Sequence, residues 1–77
     1  MPRLPRVSGD QAIRALERIG FVQVRQRGIH VVLRRRMPDG DVGCVVPLHR
    51  ELAVGTLAGI LKQAKVSAQE FTDALRS

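Results

Sequence analysis

The segment RQRGIHVVLRR, residues 25–35, places one imidazole, His30, among arginines and branched aliphatic residues. Imidazole is the side chain whose ordinary pKa lets it take or give a proton near neutral pH. Arg25, Arg27, Arg34, Arg35 and Arg36 supply planar forks that grip phosphate through paired hydrogen bonds. Imidazole plus guanidinium suits RNA cleavage. RNA carries its own nucleophile, the 2′-hydroxyl. Its proton must leave, the departing 5′-oxygen must gain one, and the charge on the phosphorane must be neutralised. The same residues also fit a solvated basic strand that contains a histidine and does no chemistry. A second histidine, His49 in VPLHREL, is open to three roles: capping the helix that follows, binding phosphate, or serving as another acid or base.

Other chemistries find little support. His30 and His49 are the only histidines, and no metal-ligand cluster is visible around them, so no metal and no cofactor is expected. No nucleophile–histidine–acid arrangement and no glycine-rich phosphate loop stands out. The single Cys44 can form neither an internal disulfide nor a multi-thiolate site, and it fits a reducing cytoplasm.

Charge is the informative bulk property. Thirteen Lys and Arg face seven Asp and Glu, a net charge of +6, and residues 25–36 hold five Arg and no acid. Such a field attracts polyanions and makes binding salt-dependent. An acidic protein partner is a second outlet for it. The chain has no Trp, no Tyr and two Phe. Single-strand binders usually stack bases on aromatic platforms, so RNA contact is expected mainly through the backbone and by shape. With no apolar run long enough for a membrane span, and no apolar signal core in MPRLPRVSGD, a cytoplasmic, membrane-free protein is expected.

The elements that must carry these residues follow from periodicity. Seventy-seven residues make one domain, 1–77. MPRLPR is a basic, proline-interrupted arm. Ser8, with Gln11 three residues on, forms a capping box, and Ala12, Ile13, Leu16 and Ile19 recur at helical spacing as far as Gly20. FVQVRQR and IHVVLRRR read as strands on either side of Gly28, which marks a turn or bulge. MPDGD is a hairpin turn, and VGCVVPL is a third, short strand. Gly55 or Thr56 can cap a helix bearing Leu57, Ile60, Leu61 and Ala64. Ser67 with Glu70 opens a last one bearing Phe71, Ala74 and Leu75. The order α-β-β-β-α-α predicts an α+β two-layer sandwich, three antiparallel strands under helices, as in double-stranded-RNA-binding domains. Alternation puts Ile29, Val31 and Leu33 toward the helices and His30, Val32, Arg34 and Arg36 on the open face.

Nearly the whole chain resembles one family. A helix ends in ERIGFVQVRQRG, followed by Gly28-Ile29-His30, then Val46, Pro47, Leu48 and His49, then VGTLAGILKQA and SAQEF. In that order and spacing these motifs resemble HicA, the toxin of HicA–HicB toxin–antitoxin systems, also called the YcfA-like family. The resemblance implies a double-stranded-RNA-binding-like fold, mRNA cleavage with His30 as the essential histidine, and a HicB-type antitoxin that covers the active surface. Ile29 departs from the family's usual serine and removes a hydroxyl donor beside His30. Under this reading Gly28, His49 and Lys62, with Lys65, extend the RNA contacts of Arg25, Arg27, Arg34, Arg35 and Arg36. The alternatives are a basic RNA-binding module on the same fold that does not cut, and an interaction protein that meets only an acidic partner.

Overall fold

The computed structural model describes residues 3–77; Met1 and Pro2 of the N-terminal arm lie outside them. The elements are α1 (Gly9–Ile19), β1 (Val22–Arg27), β2 (His30–Met37), β3 (Gly40–Pro47), α2 (Val54–Ala64) and α3 (Ala68–Arg76). The strands form an antiparallel sheet in the order β1-β2-β3. The expected α+β order is therefore the observed one.

Local chemistry sets most boundaries. Ser8 Oγ accepts from the Gln11 amide while the Gln11 side chain accepts from the Ser8 amide, and Ser67 with Glu70 repeats the pattern at α3. Gly20 closes α1 at φ 121, where a side chain would be strained. α2 begins earlier than expected. Its cap is Ala53, which makes no side-chain bond, and Gly55 and Thr56 lie inside the helix. The third strand is not short: it has eight residues and pairs with β2 from Gly40 onward.

The core lies between one sheet face and the helices. Val31 and Leu33 from β2 and Cys44 and Val46 from β3 meet Leu16 of α1, Leu57 and Leu61 of α2 and Phe71 of α3, all buried. Truncating such a leucine to alanine costs about 2–5 kcal/mol, a large share of a small domain's stability. Leu4 of the proline-interrupted arm packs against this core. Val7 is buried, and its carbonyl accepts from the Leu52 amide at 2.7 Å.

Two strand positions differ from simple alternation. Gly28 is no bulge; it is the first residue of the two-residue turn between β1 and β2, at φ 54. The bulge lies in β1, where Gln23 pairs with Leu33 and Arg25 with Val32, leaving Val24 as the extra residue. Ile29 does not join Val31 and Leu33 in the core. It lies in the turn, beyond the helices' cover, and is 49% exposed.

Candidate nucleic-acid interface

The sheet has one covered face and one open face, and cross-strand partners share a face. Three rows cross the open one. Arg27, His30 and Pro47 form the first; Arg25, Val32 and Val45 the second; Val22, Arg34 and Gly43 the third. A partial fourth pairs Arg36 with Asp41. His30, Arg25, Arg27, Arg34 and Arg36 are all exposed on it.

The two-residue turn sets Arg27 opposite His30 and Arg25 opposite Val32, and the bulge at Val24 brings Val22 onto the same face as both. Without an extra residue, a strand starting with Val22 on the open face would turn Arg25 and Arg27 toward the helix side. Because Val24 has no partner of its own, Val22 and both arginines share His30's face. Among the described residues, four arginines and one imidazole thus share a surface on which Asp41 is the one carboxylate in the ladder rows, opposite Arg36.

Three expected contacts lie elsewhere. Arg35 points to the helix side, as neighbours along a strand must. Its stem packs over Gly20 at the C-terminal end of α1, where a Cβ would meet Arg35 Nε at 3.5 Å. A cation there favours the helix dipole, which is a structural role. Lys62 and Lys65 belong to the helical layer at the end of α2, where Lys65 borders the β2–β3 turn beside Met37 and Asp41. Arg18, also on the helical side, donates to the Ala74 carbonyl at 2.9 Å and ties α1 to α3.

Gly28 and His49 flank the end of the sheet that bears His30. Gly28 is exposed, and nothing lies within 4 Å of the place its Cβ would occupy. His49 is exposed two residues beyond Pro47, His30's partner in the ladder. It caps no helix, since α2 starts at Val54 on Ala53. Its carbonyl accepts from the Gly9 amide at 2.9 Å, which fixes this segment on the start of α1. That close approach requires glycine: a Cβ on Gly9 would fall 2.0 Å from the Pro47 carbonyl oxygen.

Sequence reasoning did not single out the apolar centre of the open face. Val22 is 60% and Val45 41% exposed, with Val32 half-buried between Arg25 and Val45. Both phenylalanines are in the core, so the imidazole of His30 is the one aromatic ring among the described residues of this surface. Among the described residues no three His, Cys, Asp or Glu side chains gather to hold a metal ion, and no helix is long and apolar enough to cross a membrane.

A family model described as "HicA toxin of bacterial toxin-antitoxin" matches residues 9–66 of the 77. No curated protein gives a significant match.

Proposed function

The chain belongs to the HicA toxin family of bacterial toxin–antitoxin systems, and on that premise we propose that it is a single-domain, metal-independent endoribonuclease that cuts mRNA with His30 on the open face of its sheet. The observation that carries this reading is the first two rows of that face. They set Arg27 opposite His30 and Arg25 one row on. The 2′-oxygen attacks the adjacent phosphorus as the bond from phosphorus to the 5′-oxygen breaks. His30 carries one of the two proton transfers, as general base on the 2′-hydroxyl or general acid on the 5′-oxygen, and solvent water carries the other. Arg25, Arg27 and Arg34 neutralise the extra negative charge of the phosphorane. The location is the cytoplasm, where mRNA is made and read.

An antitoxin of the HicB type silences the enzyme by covering this face. An unmasked patch of arginines would bind RNA indiscriminately, and an acidic, partly apolar partner matches both the arginines and the valines between them.

Incubating the purified protein with a long mRNA, with and without EDTA, tests the activity. Fragments in both samples are expected. Gel shifts without fragments would make the domain a binding module, and cleavage lost in EDTA would overturn the metal-free mechanism.

A further inference from the structure

We propose that Val32 and Val45, with Val22 one row on at the β1 edge, seat the face of an unpaired nucleobase, so that the protein takes single-stranded rather than duplex RNA. The proposal rests on the ribonuclease reading above and names the form of its substrate. Composition alone suggests a grip on the backbone, because the chain has too few aromatics to stack bases. The open face is not uniformly basic, however. Its middle row reads Arg25, Val32, Val45, and the next reads Val22, Arg34, Gly43. The centre of a strongly cationic surface is thus aliphatic and open to water.

Charge complementarity selects a polyanion, and the valines select which part of it comes to the centre. A duplex presents phosphate and ribose on its outside. A sheet face that enters neither groove would press the valines against phosphates, which costs hydration without a compensating hydrogen bond. An unpaired strand can turn a base face down instead, and base faces pack favourably on apolar as well as aromatic side chains. The flanks fit this pose. Arg25 and Arg34 lie on two sides of Val32, where phosphates on either side of the seated nucleotide would run. Gly43 carries no side chain next to Val45, so the floor is not walled off there. A Cβ at Gly43 would lie 3.3 Å from the Leu33 carbonyl oxygen, which keeps that position small. Val32 is also two residues from His30 on the same face of β2, about 6.6 Å along the strand. A base held there places its neighbouring phosphate within reach of the imidazole.

The test measures binding without cleavage. Fluorescently labelled 2′-O-methyl RNA has no free 2′-hydroxyl to attack. It is offered as an intact single strand, as the same strand with two central abasic positions, and as a duplex, and affinities are read by anisotropy. The wild type is expected to bind the intact strand roughly three- to tenfold more tightly than the abasic strand, below the gain typical of aromatic stacking. The near-isosteric pair Val32→Thr with Val45→Thr should shrink that preference. Val45→Lys separates the alternatives by sign. A face that grips only backbone gains a cation and binds every probe more tightly, whereas a base seat loses its preference for the intact strand. Both variants change exposed or half-exposed positions, and circular dichroism checks their folding. Equal wild-type affinity for intact and abasic strands overturns the proposal and leaves the valines to a protein partner. Failure of the wild type to bind any of the three at low salt overturns the ribonuclease reading itself.

Discussion

Arg27 lies directly across the β1–β2 ladder from His30, with only Gly28 and Ile29 between them in the chain. Directly opposed residues in such a ladder hold their Cβ atoms about 5 Å apart on one face. The pairing therefore places a guanidinium beside the imidazole by backbone geometry, before any side-chain contact is considered. It is set by the two-residue turn at Gly28 and Ile29, and the register stays regular from there to Arg25 opposite Val32.

Two single-residue deletions in β1 should behave differently. Removing Val24 takes out the bulge and leaves Arg25 opposite Val32, so RNA binding should survive. Removing Gln26 lets Val24 pair with Val32 and turns Arg25 to the helix side. Each deletion leaves a regular ladder, and they differ in where Arg25 faces. On single-stranded RNA the Gln26 deletion should lower the slope of log affinity against log salt by about 0.7, one phosphate contact. Equal slopes would mean that Arg25 does not contact the backbone.

The arginines should not be equivalent. Arg34→Gln and Arg27→Gln should each remove about 0.7 from the same slope. Arg36→Gln should remove less, because Asp41 already opposes it, and Asp41→Asn should tighten binding. Arg35→Gln should leave the slope unchanged and lower the melting temperature, since its stem packs over the end of α1. A loss of RNA affinity in Arg35→Gln as large as in Arg34→Gln would remove the distinction between the two faces.

Much of this was legible in the sequence, for local reasons. Capping boxes are written within four residues, so Ser8–Gln11 and Ser67–Glu70 announce their helices. α2 carries no such signal, because Ala53 has no side chain to bond the first turn, and the glycine and threonine that looked like caps lie inside the helix. His30, Arg34 and Arg36 follow from period-two counting along an unbroken strand. Arg25 and Arg27 could not be placed that way. The bulge occurs at a valine, with no glycine to mark it, and it is visible only against the partner strand. Arg35 was drawn in by its neighbours in a run of three, although adjacent strand residues must face apart. The apolar centre of the open face required register, since Val32 and Val45 are distant in sequence and meet only in the ladder.

Gly9→Ala should destabilise the fold through backbone crowding. The added methyl would lie 2.0 Å from the Pro47 carbonyl oxygen and 2.9 Å from the Leu48 Cα, neither of which can rotate away. The start of α1 and residues 47–49 must part, weakening the bond from the Gly9 amide to the His49 carbonyl. Overpacking of this kind costs about 1–3 kcal/mol, and each kcal/mol lowers the melting temperature of a domain this size by about 4–8 °C. An unchanged melting temperature in calorimetry would show that the contact yields without cost.

Stability should decline in alkali because of Cys44. Burial raises its thiol from 9.0 to about 11. Below pH 9 the thiol is protonated folded or unfolded and has no effect on the pH dependence. Between about pH 9 and 11 the unfolded chain releases the proton and the folded one keeps it, so stability falls by about 1.4 kcal/mol per pH unit. Cys44→Val should flatten that part of the profile in urea titrations, whereas a profile as steep as the wild type's would assign the decline to other groups.

The decisive variant is His30→Ala. An exposed imidazole on the open face adds little to the core, so the protein should fold and should still bind its antitoxin. Loss of one positioned acid–base group typically lowers the rate by about 10²–10⁴-fold. Cleavage of mRNA should fall by that factor, and expression should no longer arrest growth. His49→Ala separates the two histidines. As an RNA contact beyond the end of β3 it should weaken binding more than turnover. If His30→Ala cut at the wild-type rate while His49→Ala did not, the catalytic role would move to the segment held by Gly9. Product ends test the chemistry separately. Attack by the 2′-oxygen leaves 2′,3′-cyclic phosphates, whereas 5′-phosphate ends would require an activated water and a different task for His30.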